Sequence, residues 1–179
     1  VIHGLPNSRA LKEGDIVSVD IGVKYKGYYT DAARTWPVGK ISGKAEKLIR
    51  VTREALYEVA LPQMTVGKRI GDISNAIQKF VEENGFGVVR DFVGHGIGQA
   101  IHEEPQVPNF GKAGRGLKLE AGLVLAVEPM VTVGDYEVMI LDNSWTVVTC
   151  DHELSSHYED TIVITETGPM VLTRSEGEC

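Results

Sequence analysis

Alternating apolar and polar positions predict that the chain opens with a β-hairpin. Residues 15–23 and 27–36 place β-branched or aromatic side chains at alternate positions, on either side of a turn-like stretch at 24–27 that contains glycine. A turn centred between Tyr25 and Lys26 puts position 20 directly opposite position 31. Both positions hold aspartate, so the hairpin is expected to carry two opposed carboxylates on one face.

A helical period follows the hairpin. Residues 44–60 place apolar side chains at i, i+3, i+4 and i+7, and Pro62 is expected to stop this helix. Residues 72–84 repeat the pattern, with Asp72 as the expected N-cap and Gly85 closing the C-terminus.

Beyond the second helix the period changes again, and short apolar stretches separated by glycines and polar turns predict strands. These stretches are 88–93, 123–128, 130–133, 145–149 and 161–164. A hairpin, two helices and then several strands predict a single α+β domain over residues 1–179, with helices covering one face of a largely antiparallel sheet. The polar tail 175–179 is expected to fray.

Composition is that of a soluble globular domain, with 42% hydrophobic and 24% charged residues among 179. A net charge of −7 without a basic stripe argues against a general nucleic-acid role. We find no apolar stretch of membrane-spanning length, and we expect no signal peptide. Cys150 and Cys179 are too few and too distant for a disulfide framework. The chain starts at Val1, and we expect an N-terminal portion of the protein to precede it.

The opposed aspartates are the first candidates for chemistry. Like charges directly across a strand pair destabilise a hairpin, and a bound divalent cation would remove that cost. Three further residues end or interrupt apolar strands, namely His95, Glu128 and Glu159. Taken singly, His95 is typical of a glycine-rich turn and the two glutamates of strand-end surface acids. Taken together, four carboxylates and one imidazole favour two divalent ions, such as Mn, Fe(II), Co or Zn, that act in hydrolysis.

The stretch HEEP at 102–105 begins like the zinc-protease motif HExxH, but the second histidine is missing and Pro105 would break the helix that the motif needs. This class of zinc protease is therefore excluded. His152 and His157 lie in a polar stretch and are expected to be surface residues, with His157 at the rim of the site.

Essentially the whole chain resembles the type I methionine aminopeptidases. The matching stretches are VIHGLP at 1–6, Asp20-Ile21 with Asp31 eleven residues on, GHGIG at 94–98, HEEPQVPN at 102–109, VEPM at 127–130, Trp145 and YEDTI at 158–162. The long run from GHGIG to HEEPQVPN is far more specific than a three-residue motif. The resemblance implies a soluble, cytoplasmic enzyme that acts near the ribosome and removes the initiator methionine from nascent polypeptides.

The resemblance also implies the pita-bread fold of creatinases and aminopeptidases, in which two pseudo-symmetric αβ halves surround a dinuclear metal site. By the same resemblance, the ligands of two divalent ions (Co, Mn, Fe(II) or Zn) are Asp20, Asp31, His95, Glu128 and Glu159. Asp31 and Glu159 are implied to bridge both ions.

Catalytic and substrate-binding roles follow from the resemblance as well. Glu128 is implied as the proton acceptor and shuttle, His102 as the contact of the substrate carbonyl and its oxyanion, and His3 as the contact of the substrate backbone amide. Trp145 and Ile101 are implied to line the pocket for the methionine side chain. Without the resemblance, His3 is typical of a flexible terminus and Trp145 of a packed strand aromatic.

The chain departs from the family in two respects. Family members carry a further N-terminal stretch with helices and strands of the first half, which also supplies much of the methionine pocket, and this chain lacks it. The missing helices are expected to leave apolar sheet surface uncovered, which favours self-association or binding to another chain. Position 101 is Ile where many relatives carry an aromatic residue.

Two alternatives remain open. The first is another pita-bread peptidase, a prolidase or aminopeptidase P, which shares the five-ligand set; the HEEPQVPN run and the position of His3 favour the methionine enzyme. The second is a catalytically impaired module that keeps the fold and binds partners. The presence of all five ligand positions and the net charge of −7 argue against this module.

Overall fold

The computed structural model describes residues 1–174. The predicted fraying at 175–179 lies outside the described residues. Within residues 1–174, no helix combines the length and apolar character needed to cross a membrane. Every strand pair in this part of the chain is antiparallel, as predicted.

The opening hairpin consists of β1 (Ile16–Tyr25) and β2 (Tyr28–Pro37). Its turn is centred one residue later than predicted, because Lys26 and Gly27 form a two-residue loop with φ of 48° and 90°. Such a turn matches the right-handed twist of the flanking strands. The predicted direct opposition of the two aspartates is therefore wrong: position 20 pairs with Ala33, and position 31 pairs with Gly22. The aspartates remain on one face as diagonal neighbours.

The first helical segment is α1 (Gly43–Glu54), which Ser42 caps by accepting a hydrogen bond from the Ala45 N–H. It continues as a π-helical segment at Ala55–Ala60 and a 3₁₀ turn at Leu61–Gln63. Pro62 therefore does not stop the helix as predicted. It occupies the first turn of the 3₁₀ segment, where a missing N–H costs nothing.

The second helix, α2 (Ile70–Glu83), begins two residues before the predicted start. Asp72 is not its N-cap. Its carboxylate instead reaches back and accepts a hydrogen bond from the N–H of Arg69, the true N-cap, at 2.8 Å. An acid at the third helical position satisfies an exposed N–H in the same way as an N-cap side chain does, so the sequence signal fits both placements.

Ten short strands complete the fold of the described residues. They are β3 (Gly87–Val88), β4 (Gly94–Gly96), β5 (Glu103–Val107), β6 (Val124–Val127), β7 (Met130–Thr132), β8 (Val138–Ile140), β9 (Val147–Thr149), β10 (Ser155–His157), β11 (Glu159–Thr165) and β12 (Gly168–Val171). The predicted strand 88–93 shrinks to two residues, and Trp145 lies in the turn before β9 and not in a strand. The unpredicted strands β4, β5, β8, β10 and β12 are too short or too rich in glycine and polar residues to show alternation.

The main sheet has the order β1-β2-β11-β6-β4-β5, with β12 beside β11. The smaller sheets have the order β10-β7-β3 and β8-β9. A core of apolar side chains from both helices and the central strands joins the layers, including Leu48, Leu56, Ile73, Leu125 and Ile162, all fully buried. This is the predicted α+β arrangement, with helices packed on a curled antiparallel sheet.

The other face of the hairpin is uncovered within residues 1–174. Val19, Ile21 and Val23 on β1 are 43%, 57% and 50% exposed, and Trp36 on β2 is 53% exposed. These side chains alternate with the aspartate face of the same strands. The prediction of uncovered apolar sheet surface is confirmed at these positions.

Candidate metal centre

Four adjacent strands bring four of the five predicted ligands together. Asp31 lies on β2, Glu159 is the first residue of β11, Glu128 directly follows β6, and His95 is the middle residue of β4. Pairing of Glu159 with Ala33, and of β4 and β11 with β6, places these side chains side by side across the sheet.

Ligand atoms from these strands form two overlapping groups within residues 1–174. The possible ligand atoms of Asp31, His95 and Glu159 lie within 4.8 Å of one another, and so do those of Glu128, His157 and Glu159. Glu159 is common to both groups. The second hairpin aspartate, Asp20, is exposed and lies outside both groups, although it faces Asp31.

The carboxyl groups are crowded and poorly solvated. Burial, reinforced by the nearby Asp31, raises the pKa of Glu128 to about 8, against an opposing effect of His95. Burial, followed by the charges of Glu128, Asp31 and Asp20, raises the pKa of Glu159. The residue Asp20 as a whole is exposed, but partial burial of its carboxyl group, reinforced by Asp31 and opposed by His157, raises its pKa to about 6. Acids held this close need either protons or cations, so the donor set fits divalent metal ions.

His95 is oriented as a metal ligand would be. Its Nδ1 lies 2.9 Å from the carbonyl oxygen of Gly96, so Nδ1–H donates and Nε2 is left with a free lone pair. The Arg34 side chain fixes the neighbouring strand, because it donates to the carbonyl of Glu159 and pairs with buried Asp160 at 2.8 Å.

The glycines around His95 are required by close backbone contacts. A Cβ at Gly94 would lie 2.4 Å from the carbonyl oxygen of Ala126, and one at Gly96 would lie 2.2 Å from that of Glu104. β4 therefore fits between β6 and β5 only with glycine at these positions. In the sequence, this strand is marked by the GHGIG run. Its interpretation as a simple glycine-rich turn is wrong.

We expect Gly96→Ala to destabilise the protein by about 1–3 kcal/mol, because β4 would have to move away from β5. Urea unfolding measures the effect. Gly43→Ala is the matched control, since the structure shows no atom of residues 1–174 within 4 Å of its added Cβ. Equal unfolding free energies for the two variants would contradict the packing argument.

His157 corrects the sequence analysis. It is fully buried on β10, not on the surface or at the rim, and its Nε2 lies 3.3 Å from Glu128 Oε2. Burial lowers its pKa to about 4. The polar residues before it suggested a loop, and no local signal could reveal that β10 packs beneath the site. His152 is exposed, as predicted.

Aromatic rings form the approach to the acids. His3 stacks on Trp145 with ring centroids 4.2 Å apart and meets Phe92 edge-on at 6.0 Å. The carbonyl of His3 accepts a hydrogen bond from the Val147 N–H, so this histidine is held in place and is not a loose terminus. Sequence reasoning did not assign Phe92 to the site, because it placed residues 88–93 in a strand, whereas Phe92 lies in an irregular stretch after β3.

Two cavities meet at His3. One of about 420 Å³ is lined by His3, Phe92, His95, His102 and Glu128 among others. The other, of about 620 Å³, extends from His3 past Trp145 to Asp20 and residues 4–11. His102 is exposed, with its ring edge-on to His95 at 4.4 Å. Ile101 is not among the lining residues of these cavities; its Cδ1 lies over Gly22, beside Asp31.

This fold and this cluster of acids and imidazoles match a known class of hydrolases. Residues 1–166 match metallopeptidase family M24. The chain therefore belongs to that family.

The relatives within this family that the chain resembles are methionine aminopeptidases. The chain is 59% identical over 173 residues to a methionine aminopeptidase of Clostridium perfringens and 51% identical over 174 residues to methionine aminopeptidase 1 of Bacillus subtilis, covering 97% of this chain and 69% and 70% of the relatives. A crystal structure of methionine aminopeptidase from Thermotoga maritima superposes with a TM-score of 0.94 at 48% identity, over 96% of this chain and 69% of that one. These matches confirm the resemblance to methionine aminopeptidases and the pita-bread fold.

More distant neighbours share the architecture. The prolidase from Pyrococcus horikoshii superposes with a TM-score of 0.78 at 26% identity, over 99% of this chain and 45% of that chain. The two kinds of peptidase thus have a common fold, so their substrate preferences must arise from differences in the substrate pocket.

Proposed function

We propose that the chain is a metal-dependent methionyl aminopeptidase, which hydrolytically removes the N-terminal methionine of nascent polypeptides. The observation that carries this proposal is the buried cluster in which Glu159 is common to two groups of ligand atoms, within a chain 59% identical to a methionine aminopeptidase. A carboxylate common to both groups fits a site for two neighbouring ions.

Two divalent ions (Co, Mn, Fe(II) or Zn) fit the donor set. Asp20, Asp31, His95, Glu128 and Glu159 would hold them. The raised pKa values of Glu128, Glu159 and Asp20 support this assignment, because burial and the repulsion between neighbouring carboxylates favour a group that supplies positive charge. When bound, such ions supply Lewis acidity toward the scissile carbonyl and lower the pKa of water.

The remaining chemistry falls to side chains around the cavity. Glu128 lines it and, as the carboxylate, can accept a proton from the attacking water and return it to the leaving amine nitrogen. His102, beside His95, would donate a hydrogen bond to the oxygen of the tetrahedral species. His3, held between Trp145 and Phe92, would contact the backbone amide of the substrate.

The methionine side chain would lie against Trp145, whose ring offers a sulfur–aromatic contact. Ile101 was expected to line the same pocket. Its position over Gly22 supports contact with the hairpin beside Asp31 and gives only indirect support for contact with substrate.

Cleavage of Met-Ala-Ser in the presence of Mn²⁺, compared with an Ala-Pro peptide, tests the proposal. We expect release of free methionine, loss of activity after chelation and negligible cleavage of the Ala-Pro peptide. Release from proline-adjacent substrates alone would instead support a prolidase or aminopeptidase P. Lack of any metal-dependent turnover would support the impaired binding module.

We further propose that the partners are nascent-chain N-termini presented at the ribosome, in the cytoplasm, and that the chain self-associates through its uncovered sheet face. The exposed Val19, Ile21 and Val23 support self-association, because an apolar strip of this kind is costly in water. Sedimentation velocity on the wild type and on Ile21→Lys would test it; identical, concentration-independent monomers would refute it.

A further inference from the structure

We propose that His157 is a positioning residue that donates a hydrogen bond from Nε2–H to Glu128 Oε2 and thereby fixes which carboxylate oxygen faces the reacting groups. This inference rests on the proposed function of Glu128. His157 itself was expected at the surface and belongs to none of the roles assigned above.

The backbone of His157 is held rigidly. Its N–H donates to Thr35 Oγ1 at 2.9 Å, and its carbonyl accepts from the same hydroxyl at 3.0 Å. On the other side, β10 pairs with β7, which places the residue opposite Met130. The ring therefore projects from a fixed point beneath the site.

Within residues 1–174, the ring nitrogens have no hydrogen-bond partner. Both Nδ1 and Nε2 are buried without a hydrogen bond, and the side chain is fully inaccessible to solvent. A buried polar group left without a hydrogen bond destabilises the folded protein. Glu128 Oε2, 3.3 Å from Nε2, is the polar atom that can relieve this cost through a small rotation of the carboxylate.

The two oxygens of Glu128 face different imidazoles. Oε1 lies 3.7 Å from His95 Nε2, and Oε2 lies 3.3 Å from His157 Nε2. The Glu128 backbone is also held, because the Asn109 side-chain amide donates to its carbonyl at 2.9 Å. A hydrogen bond from His157 would occupy Oε2 and leave Oε1 on the His95 side, where the ion and the substrate are proposed to bind.

A competing role is that His157 coordinates an ion directly, since its ring lies within 4.8 Å of ligand atoms of Glu128 and Glu159. Positioning is favoured because His157 Nε2 points at a carboxylate that His95 also approaches. In known sites, carboxylates that bind metals are held by outer hydrogen-bond partners of this kind. The two roles differ in what replaces the imidazole: a glutamine amide can donate to Oε2 but is a poor substitute for a metal-bound nitrogen.

The test compares His157→Gln, His157→Leu and the exposed control His152→Gln, each in the full chain. We expect His157→Leu to lower kcat for Met-Ala-Ser about 10–100-fold, with KM changed less than about threefold. We expect the same variant to weaken Mn²⁺ binding, measured by calorimetry, about 10–100-fold. Both glutamine variants should keep values within about threefold of the wild type. The folded fraction of each variant, measured by thermal unfolding, is used to correct its kcat and its Mn²⁺ affinity.

X-ray absorption of the Co(II)-loaded protein separates the two roles. We expect one imidazole per two ions in the wild type and in His157→Gln. Two imidazoles in the wild type and one in His157→Gln would overturn positioning in favour of direct coordination. Unchanged kcat and Mn²⁺ affinity in His157→Leu would overturn both. An inactive wild type would refute the proposed function, while the affinity comparison would still decide the role of His157.

Discussion

Asp31→Asn is expected to abolish metal-dependent cleavage of Met-Ala-Ser and to weaken Mn²⁺ binding by more than about 100-fold. The carboxylate of Asp31 lies with His95 and Glu159 in one group of ligand atoms. Loss of an outer partner of a ligand already costs about 10–100-fold, so loss of an anionic ligand should cost more. Calorimetric titration with Mn²⁺ and peptide cleavage measure the two effects.

This variant should still fold. Asp31 is tied into the sheet by its backbone, because its N–H donates to Thr161 Oγ1 at 2.8 Å and its carbonyl accepts from the same hydroxyl at 2.9 Å. Asparagine has the same shape and removes one charge from the acid cluster. Asp142→Asn, at an exposed position, is the control and should behave as the wild type. Wild-type Mn²⁺ affinity in Asp31→Asn would exclude this residue as a ligand.

The second large effect concerns stability: the metal-free protein should become less stable as pH rises, and bound metal should oppose this loss. Glu128, whose pKa is raised by burial to about 8, and Asp20, raised to about 6, bind more protons in the folded than in the unfolded state. Their stabilising contribution is therefore complete at low pH and lost as pH rises toward the folded pKa. We expect the metal-free protein to lose several kcal/mol of unfolding free energy as pH rises, because the buried Glu128 and Glu159 both release protons.

The clearest window is pH 6.5 to 8. Burial lowers the pKa of His157 to about 4, so this residue adds stability as pH rises from 4 to its usual value near 6.5 and opposes the acids there. Above pH 6.5 only the acid effect continues. Urea unfolding in the presence of a chelator should show a fall across this window, and Glu128→Gln should flatten it.

Mn²⁺ should oppose this fall, because cations replace the protons that the acids release. At 100 times its dissociation constant, a ligand adds about 2.7 kcal/mol, or about 5–10 °C in Tm for a chain of this size. At one fixed Mn²⁺ concentration, the increase in Tm should be larger at pH 8 than at pH 5.5. An equal Tm shift at both pH values would indicate that Mn²⁺ binds away from the titrating carboxylates.

The sequence predicted the elements better than their pairing. Alternation located both strands of the hairpin and placed the aspartates on one face, but it could not fix the register, which depends on positive φ at Lys26 and Gly27. Helical periodicity likewise located both helices and missed their ends. The strands β4, β5 and β10 exist because of neighbours distant in the chain, and nothing local reveals them.

The candidate site shows the same division. Asp31, His95, Glu128 and Glu159 could be selected because each interrupts or ends an apolar stretch, and the structure brings their side chains together. His157 could not be selected, because its burial arises from the packing of β10 against Thr35 and β7. Long-range packing therefore places a second histidine, His157, beside the acids.

Anomalous diffraction from Mn²⁺-soaked crystals tests the central claim most directly. The expected result is two ions about 3.5–4 Å apart, with carboxylate oxygens of both Asp31 and Glu159 in contact with each. Mn²⁺ bound elsewhere, with no ion in contact with Asp31 or Glu159, would contradict the account.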